Sequence, residues 1–526
     1  MSNDVAVVGI LVATFVAYSW ITSKRLKLPP GPRPEPFIGN VRQLASVERH
    51  EEEFAAWGKL YGDVVHAKLF GRSMIVLNSF KAAHELMDKR GGNYSSRPPM
   101  VLVTELMGWD SVIPQMPYGE RFRKHRRLIQ NYFSEQSILA YRPLQRKECA
   151  TFLAGLLKDP KDYALIIKRF SAATIMKIAY GHNVESVDDL YVSLAEDAVM
   201  DSTASGGVGS ILVDFFPALK YMPTWMPGAG WKRHAYRTRE KVLKSLNMPF
   251  EMVQGKMVHL PRVCSAVFQD TDSCGKAEGT AEASFATTLL NEREANSEKI
   301  VYDEDDIKGA AGVLYAAATD TTGGVLLAFF LAMVMFPDVY KKAQAELDIV
   351  VGSDRLPDFD DRPSLPYLDC VLNEVYRWSA PVPLGVPHAS IADDEYRGYD
   401  IPGGSVVVSN IWAMTRDPEL YEDPDEFRPE RFEDPNTFNP RDLVFGFGRR
   451  VCPGKHFGDA SLWLCSANLL ATFNMGLTRD DAGKEIPVPG DFEPGLTRHP
   501  KHFECSITPR SEKTVKLIND AVTTYA

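Results

Sequence analysis

The residue whose surroundings are best suited to chemistry is Cys452. It lies in a glycine-rich stretch directly ahead of an apolar, helix-like segment. A cysteine in that position lies at the positive end of a helix dipole, where free backbone N–H groups face its sulfur. This environment favours the thiolate, the form of cysteine that binds metals. Gly448 and Gly454 allow the backbone to fold closely around the sulfur and to lie against a flat ligand. Pro453 suits the first turn of a helix, where no N–H is needed.

Two other interpretations of Cys452 stay open from the residues alone. A single cysteine is most often a buried structural residue. A cysteine nucleophile needs a partner histidine, and the local sequence gives that interpretation no support. The seven cysteines are scattered along the chain without C-x-x-C spacing, which argues against a disulfide framework or a zinc site. Their number and spacing fit a reducing compartment.

A second candidate segment, residues 309–336, contains a single charged side chain, Asp320. A helix that is apolar all round lies either in the core of a large protein or in a membrane. The middle of this segment, residues 317–324, is polar and small, and a charge at the centre of a bilayer is costly. Gly323 and Gly324 each weaken a helix by about 1 kcal/mol relative to Ala. We therefore expect a long buried helix whose polar break faces a cavity.

The glycine-rich stretch resembles the cysteine motif of the cytochrome P-450 family of haem-thiolate monooxygenases. The family pattern F-x-x-G-x-R-x-C-x-G is filled by Phe445, Gly448, Arg450, Cys452 and Gly454. The resemblance implies that Cys452 is the axial ligand of the haem iron, and that Phe445, Arg450 and Gly454 lie against the cofactor. It extends, with further motifs in the family's order, over nearly the whole chain.

One of these further motifs is E-x-x-R, matched by Glu374 and Arg377, whose i, i+3 spacing puts both charges on one helical face. A lone pair of this kind is usually a solvated helix face, so its value lies in its order relative to Cys452. The later P-E-R-F element contains Arg431. The resemblance implies that Glu374, Arg377 and Arg431 form a buried structural charge triad.

The polar break of residues 317–324 matches the family motif that crosses the oxygen-binding side of the haem, with Ala318 in place of the usual glycine. The resemblance implies that Asp320 and Thr321 are catalytic and relay protons to dioxygen. The structural alternative is that the Thr321 hydroxyl only bonds back to a helix carbonyl, as threonine often does.

Haem propionates need cationic partners, and arginine binds carboxylates through bidentate hydrogen bonds. Residues 118–127 resemble the family's W-x-x-x-R helix, which implies Arg126 as a propionate ligand. Phe122 replaces the usual tryptophan, so one indole N–H donor is missing. His125 and His388 match positions that often assist cofactor binding, and an ordinary hydrogen-bonded histidine is the alternative for each.

The resemblance implies a monooxygenase that inserts one oxygen atom of O2 into a hydrophobic organic substrate by hydroxylation or epoxidation. The cofactor would be heme b (iron protoporphyrin IX). Electrons would come from NADPH through a membrane-bound cytochrome P-450 reductase, with cytochrome b5 as a further partner. Five Arg and Lys side chains within residues 121–127 would form a local basic patch that suits an acidic redox partner. The chain looks most like fungal microsomal members, which often act in secondary metabolism or xenobiotic oxidation.

Substrate contacts are expected from mostly apolar segments, namely residues 101–117, 313–321 and 382–387 and the turn near Leu496. Two other classes of function stay open. One is a haem-thiolate isomerase or dehydratase that uses no reductase, and the other is a non-catalytic membrane haem protein. The Asp320–Thr321 pair and the basic patch argue against the first, and the complete oxygen-activation set argues against the second.

The N-terminus predicts a membrane anchor. Residues 5–22 are uncharged and mostly apolar, about the minimum length for a spanning helix. Lys24, Arg25 and Lys27 follow this run and Asp4 precedes it, which places the body of the protein on the cytosolic side. A cleaved signal peptide is the alternative, but its charges would come first and a small-residue cleavage site would follow. We expect a single-pass anchor in the endoplasmic reticulum membrane.

Three regions follow from this pattern: an anchor at residues 1–27, a stiff Pro-rich hinge at 28–40, and a haem domain at 41–526. Residues 215–231 combine two tryptophans with several other large apolar side chains. This loop either packs on the core or makes a second contact with the bilayer surface, since tryptophan favours the membrane interface.

The composition is that of an ordinary globular protein: 526 residues, 45% hydrophobic and 24% charged. The net charge of −10 argues against a nucleic-acid partner. We predict a mainly α fold with small β-sheets (α+β), in one large domain without internal repeats. The predicted helices cover residues 119–133, 150–157, 163–180, 305–336, 339–351, 365–378 and 458–473, and the predicted strands 64–69, 74–77 and 405–410.

Overall fold

The fold is given by a computed structural model that describes residues 26–203, 208–258, 281–295 and 302–525. The predicted membrane anchor, residues 5–22, lies outside the described residues, as do Lys24 and Arg25.

Helices make up most of the described chain. In chain order the α-helices are α1 (Val41–Ala45), α2 (His50–Tyr61), α3 (Phe80–Ala83), α4 (Gly91–Tyr94), α5 (Glu120–Phe133), α6 (Arg142–Lys158), α7 (Tyr163–Tyr180), α8 (Leu190–Thr203), α9 (Val208–Phe215), α10 (Gly230–Val258), α11 (Phe285–Ala295), α12 (Glu304–Met335), α13 (Pro337–Val350), α14 (Pro366–Ser379), α15 (Ile411–Met414), α16 (Arg441–Val444), α17 (Lys455–Thr472) and α18 (Glu512–Tyr525). Short 3-10 or π turns lie at Ser137–Tyr141, Pro160–Asp162, Pro217–Tyr221, Phe359–Ser364, Pro429–Glu433 and Gly448–Arg450, and at His84–Lys89 and Leu102–Leu106.

The sheets are small. The strands are β1 (Val64–Leu69), β2 (Arg72–Leu77), β3 (His388–Ala389), β4 (Asp394–Tyr396), β5 (Tyr399–Ile401), β6 (Val406–Ser409), β7 (Phe473–Leu477) and β8 (Cys505–Pro509). One four-stranded sheet has the order β1-β2-β6-β3, in which β2 and β6 run parallel and the other pairs antiparallel. Strands β4–β5 and β7–β8 form two separate antiparallel pairs. The predicted mainly α fold with small sheets is confirmed.

The helix α12 runs through the centre of the molecule and packs against α7, α14 and α17. A capping box fixes its start, because the Asp303 carboxylate accepts from the Asp306 N–H and the Asp306 carboxylate accepts from the Asp303 N–H. Among the described residues it is the one helix that is long and apolar enough to cross a bilayer. Its most apolar 18-residue window has a mean hydropathy of 1.6 and is 61% buried inside the fold. The segment predicted to be a buried core helix therefore lies in the core.

The Pro-rich segment lies against β1 near residue 30 and turns back on itself between Glu35 and Gly39. Its role as a hinge stays a prediction. The His66 N–H donates to the Pro30 carbonyl over 3.0 Å. A Cβ atom placed on Gly31 would lie 1.9 Å from the His66 carbonyl oxygen, so only glycine allows this approach. The start of the described chain is therefore docked onto the four-stranded sheet.

A buried ion cluster joins α14 to the long irregular stretch that precedes α16. Glu374 and Arg377 are both 0% exposed, and two parallel hydrogen bonds of 2.7 and 2.8 Å join their carboxylate and guanidinium groups. The Arg431 Nε lies 3.2 Å from the same carboxylate. The Arg428 N–H also donates to Glu374, over 2.7 Å. The three residues that the family resemblance joins in a charge triad are thus in contact.

The two arginines of this cluster also bind the backbone of the stretch that follows. Arg377 donates to the carbonyls of Thr415, Pro424 and Glu426 over 3.0, 2.7 and 2.9 Å. Arg431 donates to the carbonyls of residues 422, 423 and 426. A chain segment without regular structure needs partners for its buried carbonyls. These guanidinium groups supply the hydrogen bonds that a helix or a sheet would otherwise supply.

We expect Arg377→Ala and Glu374→Ala to lower the free energy of unfolding by about 3–5 kcal/mol, because removal of one partner leaves a buried charge uncompensated. The same variants should fail to take up the expected haem. Urea unfolding followed by circular dichroism, and haem content per protein, measure the two effects.

The matched control is Arg355→Ala, which removes an exposed ion pair with Asp361 and should change stability by about 1 kcal/mol or less. A soluble, haem-loaded Arg377→Ala protein of normal stability would contradict this account of the cluster.

Candidate active site

A cavity of about 320 Å³ lies between the middle of α12 and the loop that leads into α17. Its walls come from α5, α12, the segment between α14 and β3, and residues 444–458. The residues that carry its chemistry are Cys452, Arg97, Arg126, Arg450, His388 and Thr321. The structure thus brings most of the site residues predicted from the sequence to one enclosed space.

Cys452 lies three residues ahead of α17, in a loop that the backbone holds closed. Its N–H donates to the Phe445 carbonyl over 2.8 Å. Gly448 has a φ of 55°, and a Cβ there would lie 2.2 Å from the Met87 carbonyl oxygen. Glycine is therefore required at this position both for the left-handed backbone and for the close approach of Met87.

Burial raises the pKa of the Cys452 thiol. The Gly454 N–H and the positive charge of Arg126 act in the opposite direction but do not outweigh burial. The Gly454 N–H thus acts in the direction that the sequence predicts, and the thiolate form of Cys452 stays a prediction. A bound metal would supply further stabilisation, because coordination deprotonates a thiol outright.

The wall beside the sulfur contains three glycines, Gly446, Gly454 and Gly458, which we call the glycine cradle. A Cβ on Gly446 or on Gly458 would meet no other atom within 4 Å. A Cβ on Gly454 would meet only the Cys452 sulfur, 4.0 Å away. Phe445 and Phe457 flank this glycine cradle. The open space at these glycines would give a flat ligand room beside the sulfur.

Three guanidinium groups on one side of the cavity bind carbonyl oxygens instead of carboxylates. Arg97 donates to Pro114, Val386 and Pro387, and Arg450 donates to Ser95, Ile113 and Met116, all over 2.6–3.1 Å. Arg126 donates to the Val451 carbonyl. Among the described residues, none of the three forms an ion pair with a carboxylate.

Because no carboxylate of the described chain lies beside these groups, burial and neighbouring positive charges lower their pKa values. Burial, and after it the charge of Arg126, lowers the pKa of Arg450 to about 10. Burial and then the charge of Arg450 lower the pKa of Arg97 well below its usual value. An anionic ligand would reverse these shifts, and the two propionates of haem are such groups. The donor set of the cavity therefore fits haem, with the thiol on one face and cations at one edge.

The two predicted histidines have different surroundings. His388 lines the cavity, and its Nδ1 lies 2.7 Å from the Tyr94 carbonyl, which leaves Nε2 for the cavity. Burial and then the charge of Arg97 lower the pKa of His388 to about 3, so the ring is neutral.

His125 is fully buried but does not line the cavity. Its Nε2 lies 2.9 Å from Asp306, the buried carboxylate at the start of α12, which also pairs with Lys124. His125 is therefore part of the joint between α5 and α12, and its help in binding a cofactor stays a prediction.

On the opposite wall, Thr321 faces the cavity, and its hydroxyl donates to the Ala317 carbonyl over 2.8 Å. This is the back-bond that the structural alternative for Thr321 requires, so proton relay through this hydroxyl stays a prediction. Asp320 does not line the cavity. Its carboxylate instead contacts Thr497 and His499, which come from the loop ahead of β8.

The rest of this wall is apolar and comes from three of the segments predicted to contact substrate. It includes Ile113, Pro114, Val313, Leu314, Val382 and Val386. Leu496, from the fourth predicted segment, is 58% exposed and lies outside the cavity wall.

Arg97 is a site residue that the sequence analysis missed. Its signal is that it is the single charged residue among residues 93–104. A lone charge in an uncharged stretch of a globular chain is either exposed or bound by specific partners, and Arg97 is 8% exposed.

The sequence model of the family described as Cytochrome P-450 matches residues 29–507. Cytochrome P-450 monooxygenases 136 and 176 of Postia placenta are 42% and 40% identical to this chain over 520 and 522 residues, with 98% of this chain and 94% and 96% of the relatives covered. A cytochrome P-450 monooxygenase of Armillaria gallica is 38% identical over 522 residues, with 98% of each chain covered.

We expect Cys452→Ala to lose the absorption band typical of thiolate-ligated haem in the carbon-monoxide difference spectrum of the reduced protein. The reason is that Cys452 is the described cysteine whose sulfur faces the cavity.

Cys370→Ala and Cys465→Ala are matched controls, because both thiols are buried in the core away from the cavity, and both variants should keep the band. An unchanged spectrum in Cys452→Ala would overturn the ligand assignment.

Proposed function

This chain belongs to the cytochrome P-450 family, and from that membership we propose that it is a membrane-anchored monooxygenase acting on neutral hydrophobic organic compounds. It would insert one oxygen atom of O2 into a C–H or C=C bond of the substrate. The observation that supports this proposal best is a single cavity that combines four features. It contains the Cys452 thiol, the glycine cradle beside it, three guanidinium groups without a carboxylate partner among the described residues, and an apolar opposite wall. Heme b ligated by Cys452 would supply the chemistry, because a thiolate ligand donates electron density that favours O–O cleavage.

The chain's own residues would bind and orient the reactants. Arg97, Arg126 and Arg450 would hold the cofactor carboxylates, with the neutral His388 ring as a further hydrogen-bonding group. The Thr321 hydroxyl would hold a proton on the substrate side of the cavity, where Asp320 is its neighbour in the chain. Thr321 and Thr322 interrupt an otherwise apolar wall of α12, which would keep water from the rest of the substrate space.

The lining supports a neutral substrate. Among the described residues, no carboxylate and no lysine lines the cavity, and its cations lie on the side proposed for the cofactor carboxylates. A charged substrate would lose its hydration without gaining a partner, which costs several kcal/mol or more (about 2–7 for a polar group alone). The named relatives are fungal monooxygenases, which supports a role in secondary metabolism or xenobiotic oxidation.

Electrons would come from NADPH through a cytochrome P-450 reductase, with cytochrome b5 as a further donor. The proposed docking site is the outer face of α5. Arg123 and Arg127 are exposed there, and on the inner face Arg126 reaches the Val451 carbonyl beside Cys452. Arg121 and Lys124 pair with Asp306, so the basic patch is smaller than the sequence alone indicates.

Membrane attachment would combine the anchor at residues 5–22 with an exposed apolar surface, which we call the apolar rim and define as Phe37, Tyr221 and Trp225. These side chains are 96%, 77% and 78% exposed. Phe70, close to Phe37 in the fold, packs on Phe215 at the start of the loop, with ring centroids 5.2 Å apart. Aromatic side chains of this kind favour the bilayer interface.

Each of the two interpretations of the loop at residues 215–231 therefore applies to one of its tryptophans. Trp231 is 4% exposed and belongs to the core, whereas Trp225 is free to contact lipid. We propose the endoplasmic reticulum membrane as the location, with the catalytic domain in the cytosol.

The function is tested by reconstitution with a reductase, NADPH and 18O2 against a panel of terpenoid, steroid and aromatic compounds. We expect a product that carries one 18O atom and whose formation requires NADPH. Thr321→Ala should bind haem and accept electrons normally, but product per NADPH should fall while peroxide rises, because the hydroxyl no longer holds the proton.

Thr321→Ser keeps the hydroxyl and should stay coupled. If Thr321→Ala gives the same product per NADPH as the unaltered enzyme, the hydroxyl serves only the bond to Ala317. A product formed without NADPH would instead indicate an isomerase or dehydratase.

We expect deletion of residues 1–27 to release most of the protein from microsomes, measured by flotation. Trp225→Ala in the truncated protein should lower the remaining binding, because this side chain is the most exposed aromatic group of the loop. Ile349→Ala, which removes an apolar side chain that is 85% exposed on α13, is the control and should change nothing. A truncated protein that floats as well as the full chain would contradict the placement of the anchor.

A further inference from the structure

Three polar side chains meet on the side of α12 that faces the loop ahead of β8. The Thr497 hydroxyl donates to one oxygen of the Asp320 carboxylate. The His499 Nε2 lies 2.9 Å from the other oxygen and 3.2 Å from the Thr497 hydroxyl. Both carboxylate oxygens of Asp320 are thus bound from a part of the chain far away in sequence.

The helix has a glycine where this histidine needs room. Asp320 and Gly324 are four residues apart, so they share one face of α12. A Cβ placed on Gly324 would lie 2.9 Å from the His499 Cε1 and 3.0 Å from its Nδ1. The neighbouring Gly323 meets its nearest atom at 3.6 Å, which is ordinary contact. Of the two glycines that interrupt this helix, Gly324 is therefore the one that allows His499 to reach Asp320.

The loop does not need His499 to keep its place. Arg498 is 7% exposed, and its backbone N–H donates to the Pro381 carbonyl over 2.9 Å. Its guanidinium donates to the Ser379 carbonyl over 3.0 Å and lies 4.5 Å from the centre of the Phe492 ring. These contacts hold the loop against the segment after α14 without help from the histidine.

His499 and Asp320 both reach solvent. Their side chains are 28% and 45% exposed, and both polar contacts of His499 use Nε2, which leaves its Nδ1 for water. Burial alone would raise the pKa of Asp320, but the hydrogen bonds from His499 and Thr497 outweigh it and lower the pKa. A carboxylate held in this way stays ionised.

We propose that His499 is a positioning residue that orients Asp320 and supplies it with protons from solvent, with Thr497 fixing the second carboxylate oxygen. In one transfer, Nδ1 takes a proton from hydronium, which becomes water, while the Nε2 proton moves to the Asp320 carboxylate, so the ring stays neutral. Loss of the Nδ1 proton to water and uptake of a proton at Nε2 then restore the starting tautomer. The inference rests on the proposed function, in which Asp320 and Thr321 handle protons beside the dioxygen substrate.

The first test is His499→Gln, which keeps a side-chain donor but removes the exchangeable ring. Product formation with NADPH and reductase should fall by at least about tenfold, since a positioned proton donor contributes about 10²–10⁴-fold to a rate. The ratio of rates in H2O and D2O should increase, because proton supply becomes the slow step. Haem content and the melting temperature should stay unchanged, since Arg498 holds the loop.

The second test uses the two glycines as a matched pair and needs no turnover. In protein with 15N-labelled histidine, the His499 ring resonances, assigned by their loss in His499→Gln, should move in Gly324→Ala and in Asp320→Asn. They should stay in place in Gly323→Ala, which should also keep full activity and an unchanged isotope ratio.

The outcomes of these experiments distinguish failure of the proposed monooxygenase function from failure of the role of His499. An unaltered enzyme that forms no product with NADPH overturns the proposed function, whatever His499 does. A coupled unaltered enzyme together with an equally fast His499→Gln variant and an unchanged isotope ratio overturns the role of His499. Ring resonances that do not respond to Asp320→Asn overturn the contact itself.

Discussion

Glu374 is a carboxylate without solvent contact that faces two guanidinium groups, and the shape of the cysteine side of the molecule depends on it. Arg377 and Arg431 are held by this charge, and their remaining donors bind carbonyls of the irregular stretch between α15 and the 3-10 turn at Pro429–Glu433. That stretch has no sheet or long helix to satisfy its backbone, so the ion cluster substitutes for regular structure. The chain then runs through the 3-10 turn at Pro429–Glu433 and α16 before it reaches the Cys452 loop. The buried ion contact on α14 therefore anchors the chain upstream of the sulfur.

The cavity has two walls that differ in chemical character and come from different elements of the fold. The loop ahead of α17 contributes a sulfur and open glycine positions, while α12 contributes an apolar surface interrupted by one polar turn. The central position of α12 gives that turn two neighbours at once. Thr321 faces the cavity, and Asp320 faces the loop that bears His499. The same helical turn thus borders both the cavity and the loop that bears His499.

Features that depend on neighbouring residues could be predicted from the sequence, and features that depend on distant ones could not. The predicted bounds of α7 and β1 agree with the structure, because apolar periodicity and flanking turn residues are local signals. The long helix α10 was not predicted, since Pro249 lies inside it and proline usually ends a helix. The family motifs predicted Cys452, Arg126 and His388 as cofactor-binding residues; all three line the cavity, and their roles stay predictions. Arg97 and His499 were missed, because their partners come from other parts of the chain and no local pattern marks them.

The three cavity arginines have a consequence for the steady-state level of the protein in a cell. Like charges that share a low-dielectric wall without counter-ions raise the free energy of the folded chain, and an anionic cofactor relieves them. A ligand that binds only the folded chain adds stability in proportion to the logarithm of its concentration. Quality control removes chains according to the fraction that is unfolded. The steady-state amount of this enzyme would therefore follow the supply of haem as well as the rate of its synthesis, and the three arginines would make the protein level sensitive to cofactor availability.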